Sequence, residues 1–173
     1  MTSKIDTFPG TPLSEKDFQE GKILFVHDEM NAKYNWDTGV GIGSYLAGLK
    51  RGVLLGGYCA TCRKTVIPPR TVCEWCYRPI QRYTELKDTG TVNTFSLCYV
   101  TWDVKRIKQP EIPAVIDIDG ASPLQGIMHK LGEVKPDDVH IGMRVRAVWR
   151  PEAEREGAIT DIRYFKPWEG GGT

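Results

Sequence analysis

Cys59-Ala-Thr-Cys62 and Cys73-Glu-Trp-Cys76, separated by ten residues, decide how this chain is read. A C-x-x-C turn sets two sulfurs on one side of a tight loop, and the connection is long enough to bring a second such turn round to face the first. Four thiolates then fill a tetrahedral site with no position left for water or substrate, so the site is expected to be structural and not a centre for metal-assisted hydrolysis. Zinc is the expected ion, with Cys59, Cys62, Cys73 and Cys76 as ligands. A rubredoxin-type iron centre uses the same four thiolates, and spacing alone does not separate the two. Between the knuckles, Thr65 to Ile67 favour a strand and Pro68-Pro69 end it. Trp75 and Tyr77 are expected to shield the sulfurs or to pack against a neighbouring part of the chain.

Two disulfides would suit a secreted miniprotein, but the first ten residues, Met1 to Gly10, contain no apolar run of the kind a signal peptide needs. A reducing cytoplasm is the expected compartment. The chain has 173 residues, enough for one domain or two small ones with a real core. Its 23 Lys and Arg against 22 Asp and Glu leave a formal net charge of +1, which gives no basic field to gather nucleic acid or an anionic membrane. No stretch reaches the ~18 uninterrupted apolar residues of a membrane span. The fifth cysteine, Cys98, lies in a strand-like run and is expected to be a small buried apolar residue.

Working outward from the knuckles, residues 1–57 form an N-terminal extension with short helices. Ser14 can cap a turn with Asp17 three residues on, and Lys22 to Val26 is expected to be a short strand. The glycine-rich run Gly39 to Gly52 lacks both a Walker lysine and the dinucleotide spacing, so it is expected to be a short helix capped by Ser44 and closed by Gly52. In that helix Tyr45, Leu46 and Leu49 would share one side. Residues 58–82 form the metal ribbon. Residues 83–168 read as a series of short strands: Thr91 to Val100, with Phe95, Leu97 and Tyr99 on one face; Ile112 to Ile118 and Leu124 to Leu131, joined at Asp119-Gly120; Val139 to Trp149; and Ala158 to Phe165. Five short antiparallel strands suggest a small Greek-key barrel of the OB type. Residues 169–173, Glu-Gly-Gly-Gly-Thr, are expected to be a flexible tail. The expected class is therefore mainly β with a short α-helical N-terminal part.

The order of Tyr45 to Gly56, the first knuckle, Pro68-Pro69-Arg70, the second knuckle, Ile141 to Val145 and Tyr164 to Pro167 resembles the family of acyl-CoA-associated proteins that join a rubredoxin-like zinc ribbon to an OB-fold barrel. The resemblance covers roughly residues 44 to 168, and the N-terminal extension is similar to that of the thiolase-associated branch, which includes the small subunit of benzoylsuccinyl-CoA thiolase. One departure is Tyr77-Arg78-Pro79 after the second knuckle, where a glycine is common. The resemblance implies a subunit without catalytic residues of its own. It would pair with a thiolase-like large subunit, in a two-plus-two heterotetramer, and help to shape a channel in which a CoA thioester sits at the interface. Some relatives serve a dehydratase or an aldolase instead. Lys105, Arg106 and Lys108, placed in a loop after the first barrel strand, are candidate contacts to CoA phosphates. His27, His129 and His140 are scattered, and no cysteine–base pair is evident in the sequence. Two competing classes stay open: a single-stranded nucleic-acid binder stacking bases on Phe95, Tyr99 and Trp102, and a stand-alone enzyme with Cys98 as nucleophile.

Overall fold

The computed structural model describes residues 13–24, 26 and 33–170. The chain divides at Trp36 into two units. In the first, helix α1 (Glu15–Gln19) follows Ser14, whose backbone N–H donates to the Asp17 carboxylate at 2.9 Å, while the Asp17 N–H returns to the Ser14 carbonyl at 3.0 Å. That is the capping arrangement expected from the sequence. The strand expected at Lys22 to Val26 is not formed at the described residues of that run. Leu24 and Val26 are exposed, Phe25 lies outside the described residues, and an apolar run with no strand to pair with has no ladder to join.

The second unit starts with helix α2 (Gly39–Arg51), which begins five residues before the expected cap at Ser44. Two of its glycines, Gly41 and Gly48, are required by tertiary packing. Gly41, Tyr45, Gly48 and Leu49 are buried on one side, and a Cβ at Gly41 would lie 3.0 Å from the Pro69 carbonyl oxygen. Gly52 ends the helix as expected. Its φ is 78°, and the N–H groups of Gly52 and Val53 return to the carbonyls of Leu49 and Gly48 at 2.8 and 2.9 Å.

Next comes a three-stranded antiparallel sheet of β1 (Leu54–Cys59), β2 (Lys64–Val66) and β3 (Arg82–Leu86), in the order β2-β1-β3. The chain then passes through β4 (Thr89–Phe95), β5 (Cys98–Val100), β6 (Arg106–Glu111), β7 (Pro113–Ile118), β8 (Gly126–Lys130), β9 (Arg144–Trp149) and β10 (Ile162–Pro167). Five of these form an antiparallel sheet in the order β10-β9-β4-β7-β8. A parallel bridge between Leu131, after β8, and Phe165, in β10, brings its two edges together. With the barrel strands numbered one to five, that order is 5-4-1-2-3 with closure between three and five, the topology of an OB barrel. Val92, Ile116, Ile127, Val145, Ile162 and Phe165 fill its interior.

Several strand boundaries differ from the expected ones. The run Thr91 to Val100 is not one strand. It breaks after Phe95, and β5 leaves the barrel to pair with β6 as a separate two-stranded hairpin, so Leu97 and Tyr99 are exposed instead of lining the core. Val139 lies after a 3-10 turn (Pro136–Asp138), and Ile159 is in another (Ile159–Asp161), which shortens the last two expected strands at their starts. Asp119-Gly120 does form the turn between β7 and β8, with Gly120 at φ 91°.

Ribbon and barrel are joined by more than the chain. The Thr65 N–H donates to Ser122 Oγ at 2.9 Å, the Ser122 N–H donates to the Thr65 carbonyl at 2.9 Å, and Gln125 Nε2 reaches Glu74 Oε1 at 3.3 Å. The loop between β7 and β8 thus holds both β2 and the second knuckle.

Candidate metal centre

The turn after β1 carries Cys59 and Cys62. The second knuckle is a small loop of its own, closed by a bridge between Val72 and Pro79 and by the Cys73 N–H donating to the Arg78 carbonyl at 2.8 Å. These turns bring all four expected sulfurs within 4.8 Å of one another. Cys59 and Cys76 are 3.6 Å apart and Cys62 and Cys73 3.8 Å apart, sulfur to sulfur. A tetrahedral ion with zinc–sulfur bonds of about 2.3 Å requires sulfur separations of about 3.8 Å, so the residues present fit the group. Cys59 and Cys73 are buried and the other two half-buried.

Electrostatics agree with a dication at the centre. Hydrogen bonding to the Cys76 thiol, burial and the remaining thiols push Cys62 up to about 12. Burial also acts to raise Cys73, but the backbone N–H groups of Cys76 and Trp75 aimed at its sulfur bring it down to about 7. Thiols this close cannot all ionise unless a cation offsets their mutual repulsion. A divalent ion such as zinc would supply that charge, with Cys59, Cys62, Cys73 and Cys76 as its four ligands.

Both residues that follow the knuckles have left-handed backbones, Arg63 at φ 54° and Tyr77 at φ 55°. This explains why glycine suits the position held by Tyr77. Both aromatic neighbours of the second knuckle are exposed. Tyr77 is 82% exposed, and Trp75 lies half in solvent with Lys64 Nζ 4.2 Å from its ring centroid.

The other singled-out residues are dispersed. Arg106 and Lys108 are in strand β6 and not in a loop, and Lys105 Nζ is paired with the Asp103 carboxylate at 2.6 Å, so the three do not form one cluster. His129 lies on β8, with its ring edge-on to Phe165 and Nε2 3.3 Å from the Ile159 carbonyl oxygen; burial holds its pKa below the ordinary value. His140 Nδ1 is 3.0 Å from the Asp138 carbonyl oxygen in an exposed turn. His27 lies outside the described residues. Cys98 is half-buried, not buried, at the base of the β5-β6 hairpin opposite Glu111.

Two polar centres were not evident in the sequence. Asp119 at the β7-β8 turn pairs bidentately with Arg144 of β9 and accepts from the buried Thr89 hydroxyl. Asp161 is buried and accepts the N–H groups of Glu156, Gly157 and Ala158 at 3.0, 2.8 and 3.1 Å. The first joins residues far apart in the sequence, whereas the second is local, and its Glu-Gly-Ala-x-x-Asp spacing was the available signal.

A zinc ribbon bonded to an OB barrel defines the class. Residues 46–79 match the family model for the ChsH2 rubredoxin-like zinc ribbon domain, and residues 83–150 match that for the ChsH2 C-terminal OB-fold domain. A DUF35 domain-containing scaffold protein of Methanocaldococcus jannaschii is 32% identical over 123 residues, covering 69% of this chain and 85% of the relative. The chain belongs to this DUF35 family. Among solved structures it resembles a DUF35 protein of unknown function from Sulfolobus solfataricus, with a TM-score of 0.60 and 21% identity over 75% of this chain and 87% of the other. It also resembles a chain of the Ltp2-ChsH2(DUF35) aldolase, with a TM-score of 0.57 and 19% identity over 78% and 98% of the two chains. At these identities both likenesses establish the fold.

Proposed function

We propose that this chain is the non-catalytic scaffold subunit of a thiolase-type acyl-CoA enzyme. Kinship with a scaffold protein carries the reading, and it agrees with a metal site whose four positions are all taken by protein. Residues 1–57 and the ribbon at 58–82 dock on the large subunit, and the barrel at 83–168 faces the CoA channel, in a two-plus-two assembly. The large subunit supplies the cysteine that attacks a 3-oxoacyl thioester, expels an acyl-CoA enolate and passes the acyl group to free CoA. Arg106 and Lys108, which form no ion pair among the described residues, turn to the phosphates of the bound coenzyme. Lys105 instead holds Asp103.

The aldolase among the similar structures favours a second reading, in which the partner cleaves the carbon–carbon bond next to a CoA thioester by a retro-aldol step. Both reactions release a thioester enolate, so one scaffold suits either. Affinity purification of the tagged full chain from its native cells, with mass spectrometry and thiolysis and retro-aldol assays of the eluate, tests the proposal. A stoichiometric thiolase-like partner with thiolytic activity is the expected result. Retro-aldol activity alone selects the second reading, and recovery of the chain alone or with nucleic acid refutes both.

A further inference from the structure

The hairpin of β5 and β6 stands outside the barrel sheet, and its tip carries exposed apolar side chains. Trp102 is 96% exposed and Val104 82% exposed, with Tyr99 and Val100 also open to solvent. Burial among the described residues gives no reason for these residues to be apolar.

The tip is also held in one shape. Thr101 donates its N–H to the Lys105 carbonyl at 2.9 Å, Val104 donates its N–H to the Thr101 carbonyl at 3.0 Å, the Thr101 hydroxyl donates to Asp103, and Asp103 pairs with Lys105. This network fixes Val104 at φ 63°, a left-handed conformation that a β-branched residue rarely adopts. A turn that keeps an unfavourable backbone while presenting a tryptophan to water is preorganised for a contact elsewhere.

Resting on the scaffold reading above, we infer that this hairpin is an anchor whose Trp102 and Val104 enter an apolar socket at the mouth of the large subunit's CoA channel, with Arg106 and Lys108 beside the coenzyme's phosphates. Charge selects that occupant. Arg106 and Lys108, two residues apart on β6, share a face and lack ion-pair partners among the described residues, so they are free to complement an anionic group such as a phosphate on the partner. A second copy of this chain would bring like charges together. A nucleic-acid strand would make use of Trp102 and Tyr99, but the aliphatic Val100 and Val104 at the same tip offer bases no ring to stack on, and the chain's net charge is only +1.

The test measures binding of the full zinc-loaded chain to the purified thiolase-type large subunit recovered with it, with and without CoA, by calorimetry. Trp102→Ala is expected to weaken binding by about tenfold or more, Trp102→Phe to restore part of it, and Leu124→Ala, which removes an equally open apolar side chain elsewhere, to leave it unchanged. Added CoA is expected to tighten the wild type but not the Arg106→Ala/Lys108→Ala variant, and dephospho-CoA to tighten the wild type less. Equal binding by wild type and Trp102→Ala, both with full zinc and unchanged Tm, overturns the anchor alone. Failure of the wild type to bind the large subunit overturns the scaffold reading itself. A wild-type dimer made monomeric by Trp102→Ala, or a twenty-base oligo-dT bound by the wild type and released by Trp102→Ala, overturns it in favour of self-association or nucleic acid.

Discussion

Tyr77 follows the second knuckle with φ at 55°, where an L-residue pays for contact between its Cβ and the carbonyl and glycine does not. Its ring is mostly in solvent and contributes little packing in return. Tyr77→Gly is therefore expected to raise stability by up to about 1 kcal/mol, read as an increase in Tm with zinc content unchanged. Asp161 shows the opposite balance. Burial alone would raise its pKa, but three backbone N–H donors hold the carboxyl below its usual range. Asp161→Ala leaves those donors buried without an acceptor and is expected to cost about 3 kcal/mol in urea unfolding, with Asp161→Asn less harmful because it keeps one acceptor oxygen. Since the folded pKa lies below the unfolded value of about 3.9, this stabilisation is complete above that pH and is lost as pH falls through the folded value. A pH titration of the urea midpoint should lose its acid slope in part in Asp161→Asn.

At the scale of elements, α2 is set by what it touches more than by helix propensity. A Cβ at Gly48 would meet the Val53 carbonyl oxygen and Leu55 Cγ, both at 2.9 Å, whereas one at Gly43 would meet only the Thr38 hydroxyl, at 3.2 Å. Alanine should gain about 1 kcal/mol of propensity at either site, but overpacking typically costs 1–3 kcal/mol, about enough to reverse the gain at Gly48. Gly48→Ala is expected to lower Tm and Gly43→Ala to leave it level or raise it, in thermal melts of the two variants. The β5-β6 hairpin follows a related rule. Thr91 to Val100 has the alternation of one strand, yet it divides around Ser96, whose N–H donates to the carbonyl of Pro113, the first residue of β7, at 3.0 Å; beyond that point the chain pairs with β6 outside the barrel sheet.

At the scale of the whole molecule, the ribbon is built around its four thiols and the barrel around its core, and the β7-β8 turn ties them together through Thr65, Ser122, Gln125 and Glu74. A structural zinc is worth about 10–16 kcal/mol of apparent binding free energy, so Cys73→Ser or chelation should unfold the ribbon and lower the barrel's Tm through these shared bonds. One equivalent of zinc by elemental analysis, lost in Cys73→Ser, checks the first part, and cobalt substitution with tetrahedral tetrathiolate bands checks the geometry. Acid should release the metal as protons compete for the sulfurs.

Much of this architecture was legible in the sequence because it rests on local rules. C-x-x-C turns place sulfurs, Asp119-Gly120 turns a hairpin, Gly52 stops a helix, and alternating apolar residues mark most barrel strands. The gathering of the Cys59, Cys62, Cys73 and Cys76 sulfurs could be read for the same reason, since each pair is fixed within four residues. Two features were decided only by the tertiary structure. The start of α2 depends on Gly41 fitting against Pro69, and the splitting of Thr91 to Val100 on its two halves pairing with different strands, β7 and β6. Contacts between residues distant in the chain are set by packing and pairing that no local pattern records, and that pairing leaves Trp102 in solvent at the tip of a separate hairpin.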